Sequence, residues 1–393
     1  MKAVLITVLF LAGVFNACAQ HARYIIISMN DGTNADEIKR VASLFPPSGA
    51  GKPAVGIGTI ISYLATPPEE TIRRLTRFLD LAAQYNLPVV VELDGINYWQ
   101  ARPDLWNWWD KTRPGYDPDN KKNVEWTGWT PDSAVKLGWR NWGSQHRVGP
   151  MPNLMSPDYL NACYTEIKRI IPVILRWRHA LPAGKRNLLV SVQIGVECSI
   201  GVNNWYYPDG NTLLDKPEKE DPVYGLDPDI LPGRGVQPIG YAAVSTLGIA
   251  KSGTLKEEQV TKAVYKYVLG LSRLVSGLGI PRDRLFVHAG GWKKGESVYF
   301  TALNQYACPA WSFYTFAKDP ATDTTAMEAV ARSDAPYWAA AEWLLMGAKK
   351  QTEWQEGLRN SLDINRLRYV QVRNWRAIKN NQQAIAAIQD IIR

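Results

Sequence analysis

The chain has 393 residues, a net charge of +8, 46% hydrophobic and 21% charged residues, a balance that supports a packed core and excludes a disordered chain. Lys and Arg are interleaved with Asp and Glu, which argues against a nucleic-acid-binding arm, and four cysteines in this length exclude a disulfide scaffold. The 16 Trp and 18 Tyr are more than a core alone needs and point to an aromatic surface that stacks a ligand.

At the N-terminus, Lys2 precedes an apolar run over 4–15, and Ala17-Cys18-Ala19 follows. A positive start, a short apolar stretch and small residues at the cleavage point predict a secretory signal peptide over 1–19. A second reading makes Cys18 the acylated residue of a bacterial lipoprotein, a lipid anchor at the outer surface. Both readings export the protein to the periplasm or the cell exterior. No later segment approaches about 18 uninterrupted apolar residues, so no integral membrane span is expected. Cys163, Cys198 and Cys308 then remain, and buried free thiols are expected.

From residue 24 onward, apolar strands alternate with loops and helical patterns. Strands are expected at 24–29, 53–63, 87–94, 188–196, 285–289, 309–316, 337–345 and 369–375. Helices are expected at 68–85, 157–181, 255–278 and 375–392. Eight strand–helix units predict an α/β fold, a (β/α)₈ TIM barrel forming one catalytic domain over 20–393. The open doubly wound sheet is disfavoured, because the first strand leads into Asn30-Asp31-Gly32-Thr33-Asn34 with no dinucleotide or phosphate loop.

The strands alternate in polarity. In the fourth, Val190, Val192, Ile194 and Val196 share one face, and Ser191, Gln193, Gly195 and Glu197 the other. In the third, Val89, Val91 and Leu93 oppose Val90, Glu92 and Asp94; in the eighth, Val370 and Val372 oppose Gln371, Arg373 and Trp375. Aliphatic faces suit packing against helices, so the polar faces are expected inside the barrel with acids at the carboxyl ends. Two connections are far longer than usual for a barrel. One, over 95–156, carries Trp99, Trp106, Trp108, Trp109, Trp126, Trp129, Trp139 and Trp142; the other, over 201–254, carries Asn203-Asn204-Trp205-Tyr206-Tyr207. Both leave the carboxyl ends of strands and would wall one face, with about half of the Trp side chains pinning the loops to the barrel.

Two acids stand out. Glu197 ends the fourth strand in Gln193-Ile194-Gly195-Val196-Glu197, and Glu342 lies near the end of the seventh among Ala339, Ala340, Ala341 and Trp343. A carboxylate among apolar neighbours needs a partner or a raised pKa. Facing carboxyls from opposite strands are what glycoside hydrolysis needs, one to protonate the leaving oxygen and one to attack the anomeric carbon. A structural reading instead pairs each acid with an interior arginine such as Arg373.

At these residues the chain resembles the clan A glycoside hydrolases, the retaining (β/α)₈ glycosidases. The resemblance implies Glu197 as acid/base, Glu342 as nucleophile, Tyr314 in Trp311-Ser312-Phe313-Tyr314 beside the site, and Trp375 under the sugar. It covers roughly residues 24–392 and rests on pattern and placement. Where that clan usually has Asn before the acid/base, this chain has Val196.

Glu92 and Asp94 are rival acids in Val91-Glu92-Leu93-Asp94-Gly95-Ile96-Asn97-Tyr98-Trp99, suited to sugar hydroxyls, with Asp94 as general base in an inverting alternative. His288, in Phe286-Val287-His288-Ala289-Gly290-Gly291-Trp292, could bond a hydroxyl or orient a carboxylate. The expected substrate-binding set is Asn30, Glu92, Asp94, Asn97, Trp99, Trp205, His288, Trp292, Trp311, Tyr314, Gln371 and Trp375. No metal-ligand spacing and no serine-hydrolase elbow are present, so no metal or cofactor is expected. The expected partner is a carbohydrate substrate. A non-catalytic sugar-binding barrel is the competing class.

Overall fold

The computed structural model describes residues 22–141, 145–201, 204–206, 237–290 and 297–393. The leader over 1–19, Cys18, Trp142, Trp292 and most of the second long connection lie outside the described residues.

In chain order the elements are β1 (Tyr24–Ser28), α1 (Ala35–Leu44), β2 (Ala54–Ser62), α2 (Pro68–Gln84), β3 (Val89–Asp94), α3 (Pro103–Trp106), β4 (Gly138–Asn141), β5 (Gln145–Val148), α4 (Pro157–Ala180), β6 (Leu189–Cys198) and β7 (Asn204–Tyr206). They continue with α5 (Tyr241–Thr246), α6 (Glu257–Gly277), β8 (Leu285–Ala289), β9 (Cys308–Phe313), α7 (Thr324–Arg332), β10 (Trp338–Trp343), α8 (Gln351–Leu362), β11 (Leu367–Val372), α9 (Trp375–Ile378) and α10 (Gln382–Ile392). Eight strands close into a parallel barrel in the order β1-β11-β10-β9-β8-β6-β3-β2, so the fold is a (β/α)₈ barrel. All eight are the strands expected from the sequence.

Two apolar clusters flank the barrel wall. Ile25, Ile27, Ile57, Val89, Val91, Val192, Ile194, Val287, Val370 and Val372 face the helices. Ile26, Val90, Val190, Phe286, Ala310, Ala339, Ala341 and Tyr369 form the second cluster. Phe286 and Tyr369 touch ring to ring at 5.2 Å although β8 and β11 are not neighbours, so this cluster fills the interior. It plugs the barrel below a polar layer. Val190 is a correction to the expected parity: the β3–β6 register shifts next to it, and the extra residue turns Val190 inward while Val192 and Ile194 stay outward.

The helix expected over 375–392 is two helices. Asn374 caps α9 and Asn381 caps α10, each side chain accepting from a backbone N–H three residues on. An N-cap has extended backbone, so a second cap ends the first helix. Helices α1, α7 and α8 join those the periodicity singled out. Strands β5-β4-β7 make a small antiparallel sheet that joins the two long connections to each other. Cys163, Cys198 and Cys308 are buried and free. Among the described residues, no helix is long and apolar enough to cross a membrane.

Candidate active site

The site lies at the carboxyl ends of the strands, on the polar layer above the interior plug. Its carboxyls arrive there through local irregularities. The β6–β8 register shifts between Ile194 and Cys198, with Gly195 at φ 76° and Glu197 at φ 49°. Left-handed backbone at a non-glycine residue is strained and is held only by its surroundings. Gly290 makes room for this turn, since a Cβ there would lie 2.6 Å from the Glu197 carbonyl oxygen. Strand β10 has its own shift between Ala340 and Glu342. Both acids are almost wholly buried, at 3% and 4% exposure.

The two carboxyls have opposite surroundings. Glu342 Oε1 lies 2.5 Å from the Arg373 guanidinium, and its Oε2 accepts the Tyr314 hydroxyl. Both of its oxygens are thus held in place. At Glu197, Ser312 Oγ donates to Oε1 over 3.1 Å. Burial first, then the charge of Glu342, push the Glu197 carboxyl up to about 7, against His288, Arg140 and Arg373.

Between and beneath them lies Glu92, fully buried. Its Oε1 meets His288 Nδ1 at 2.7 Å and the Gln193 amide nitrogen; its Oε2 lies 3.5 Å from Gln371 Nε2 and 3.9 Å from Arg373. Burial raises the Glu92 carboxyl, and His288 and Arg373 oppose this. Burial lowers the His288 imidazole, but the bond and charge of Glu92, with Glu342 and Glu197, leave it above its ordinary value. One ligand atom each from Glu92, His288 and Glu342 fall within 4.8 Å of one another. This is no open cation cradle. His288 Nδ1 and Glu92 are bonded to each other, and Arg373 already supplies the positive charge at Glu342.

The residues expected from the sequence divide into three groups. Glu197, Glu342, Glu92, His288, Tyr314 and Gln371 come together in this network. Asp94 and Asn97 lie beside it but serve the backbone. Asp94 accepts from Ile96 N, Asn97 N and Ser62 Oγ at 2.9, 3.0 and 3.0 Å, and Asn97 Nδ2 reaches Val196 O at 3.4 Å. Asp94 Oδ1 thus holds two backbone N–H groups and its Oδ2 the Ser62 hydroxyl. Asn30, exposed at the rim, accepts from Arg376 N.

Three of the expected binding tryptophans are buried with partners inside the protein. Trp99 is buried, donates to Pro150 O at 3.0 Å and packs edge-on against Tyr159. It pins the first long connection. Trp311 is fully buried on the outer face of β9, against Tyr299 and Trp338. Strand alternation already requires this, since Ser312 and Tyr314 point inward and Trp311 is one residue out of phase. Trp375 is buried, its ring nitrogen donating to Glu37 with Arg40 5.6 Å above the ring. Arg373 takes the inward position at the end of β11, and the chain then turns into α9. Trp205 lies in β7, and its side chain, like Trp292, is outside the described residues.

Ser312, Gln193, Tyr369 and Arg140 are site residues the sequence reading passed over. The first three share the inward parity of Tyr314, Glu197 and Gln371, which is the signal that marks them. Arg140 is buried on β4 and its charge favours the ionised forms of Glu197 and Asp94. Nothing local marks it, because it enters from a loop. Glu125 from the same loop is fully buried and accepts from the backbone N–H groups of Gly240, Ala242 and Ala243, tying the first long connection to the end of the second. Burial pushes its carboxyl up to about 8, against those bonds.

No family model matches the chain, and no curated protein matches it. Among solved structures it is similar to a GH5_18 protein from Bifidobacterium longum in complex with Manβ1-4GlcNAc, at 10% identity and TM-score 0.45, covering 90% of this chain and 69% of the other. It is similar to GH26A from Muricauda, at 10% identity and TM-score 0.43, covering 94% and 89%. It is also similar to a 3-keto-D-glucoside 4-epimerase from E. coli, at 9% identity and TM-score 0.42, covering 94% and 99%. Likenesses this distant carry no argument about chemistry, which rests on the site residues themselves.

Proposed function

We propose that this chain is a glycoside hydrolase that cleaves an O-glycosidic bond in a glycan or oligosaccharide with retention of configuration. One observation carries the reading: two buried carboxyls at the mouth of the barrel have opposite environments, Glu342 bonded to Arg373 and Tyr314, and Glu197 pushed up to about 7 by burial. Retaining hydrolysis needs such a pair.

In this mechanism Glu342 attacks the anomeric carbon as the leaving oxygen departs. Arg373 and Tyr314 hold and aim the Glu342 carboxyl. Glu197 gives its proton to the leaving oxygen. It then takes a proton from the water that attacks the glycosyl-enzyme, and Glu342 is released. Ser312 Oγ bonds Oε1 of Glu197 and helps to position that carboxyl. The leader over 1–19 would export the enzyme, to the periplasm or beyond, with Cys18 as the site of a lipid anchor in the second reading of that segment.

The test is a screen of the full chain against aryl glycosides and a panel of glycans, with Glu342→Gln as the comparison. The variant is expected to lose turnover and still bind the glycan. Near wild-type turnover in Glu342→Gln would remove the nucleophile assignment. Binding with no hydrolysis of any glycan by the wild type would favour the sugar-binding barrel.

A further inference from the structure

A continuous hydrogen-bonded chain runs from the barrel interior to the acid. Glu92 Oε1 lies 2.7 Å from His288 Nδ1, His288 Nε2 lies 2.9 Å from Ser312 Oγ, and Ser312 Oγ lies 3.1 Å from Glu197 Oε1. The four residues come from β3, β8, β9 and β6, and all are buried. Bond formation and cleavage at the sugar do not by themselves require this chain.

Its hydrogens can be counted. Tyr369 donates to Gln193 Oε1 at 2.6 Å, which turns the Gln193 amide nitrogen toward Glu92. With Glu92 as the carboxylate, its Oε1 accepts and His288 Nδ1 carries the hydrogen between them. Two arrangements remain on the far side of the ring. If Nε2 carries a hydrogen, it donates to Ser312, and the single Ser312 hydrogen goes to a Glu197 carboxylate. If Nε2 is bare, Ser312 donates to it, and the Ser312–Glu197 contact then needs a hydrogen on Oε1. The two arrangements contain the same number of protons.

We propose that His288 and Glu197 share one proton through the Ser312 hydroxyl, so that His288 is a positioning residue that sets the protonation state of the acid from inside the barrel. In the transfer, the N–H bond at Nε2 breaks as an O–H bond forms at Ser312 Oγ. The original Ser312 O–H bond breaks as one forms at Glu197 Oε1. An imidazolium and a carboxylate become an imidazole and a carboxylic acid, and no other reactant is needed. Glu92 holds the imidazolium from behind, which makes the charge tolerable in a buried site. Glu342, Arg373 and Arg140 act on Glu197, and Glu92 and Glu342 act on His288. The proposal rests on Glu197 being the acid/base of the hydrolase described above.

The test is an NMR titration of the full chain with labelled His ring nitrogens and labelled Glu carboxyls. The His288 and Glu197 signals are assigned by their loss in His288→Gln and Glu197→Gln. In the wild type, His288 Nε2 and the Glu197 carboxyl are expected to titrate together, as interacting sites do. Ser312→Ala should separate their midpoints by about half a pH unit or more, and Ser312→Thr, which keeps the hydroxyl, should bring them together again. Separate midpoints in the wild type would overturn the proposal, as would midpoints that stay together in Ser312→Ala. If Ser312→Ala does not fold, the wild-type titration and Ser312→Thr decide it. Wild-type chain that binds glycans and hydrolyses none of them would overturn the hydrolase reading while leaving a shared titration standing, so the two failures are distinct.

Discussion

Glu197 and Glu342 carry the same functional group, and their neighbours give them different surroundings. Arg373 and Tyr314 sit on one; burial and the charge of the first act on the other. Because burial holds Glu197 up to about 7, its acid form is present below that pH and is lost above it. The rate on glycosides with poor leaving groups is therefore expected to fall as pH rises through about 7, seen as the alkaline limb of a kcat/KM profile. Glu197→Gln should lower that rate by about 10²–10⁴-fold and abolish the limb. An unchanged limb in the variant would assign the titration to another group. Both acids were legible in the sequence, because a carboxyl in an apolar strand is costly and stands out. Their partners were less so. Arg373 was visible as an interior arginine, but Ser312 looks ordinary until β9 is laid beside β6.

At the scale of elements, alternation decides which aromatics meet a ligand. On β9, Ser312 and Tyr314 face the site, and Trp311 packs outward against Tyr299 and Trp338. Trp311→Ala is expected to cost about 3–5 kcal/mol of stability through lost packing, read as a lower unfolding temperature. Its KM should stay near the wild-type value where the variant is folded. A raised KM with unchanged stability would put the ring in the cleft after all. The small sheet of β5-β4-β7 is a second lesson at this scale. Each long connection taken alone reads as an irregular loop, and the strands become visible only when the two connections pair with each other.

The whole molecule closes where its ends meet. Strand β1 pairs with β11 from Tyr24 opposite Tyr369 to Ile27 opposite Val372, so the barrel is complete only after almost the entire chain is made. Helix α10 packs against α8 and buries Ile385, Ile388, Ile391 and Ile392. At about 1.5–3 kcal/mol for each buried side chain, those four contribute a sum comparable with the about 5–15 kcal/mol that holds a typical protein folded. Removal of residues 382–393 is therefore expected to abolish cooperative thermal unfolding, measured by calorimetry or circular dichroism. A truncated chain with a sharp transition near the wild-type temperature would show that α10 is dispensable.

The sequence by itself determined the eight strands and the barrel, because strand alternation and strand–helix rhythm are local properties that neighbouring residues share. It also singled out Glu197, Glu342, Glu92 and His288, since burying an ionisable group in a strand is unusual enough to notice. Tertiary structure decided what those groups do. His288 and Glu92 are 196 positions apart, and Ser312 and Glu197 are 115 apart, so no window of sequence contains their hydrogen bonds. It also decided the fate of Trp99, Trp311 and Trp375, which are buried with partners inside the protein. A side chain's direction depends on bulges and chain turns around it, and those arise from the pairing of strands rather than from the residues within one.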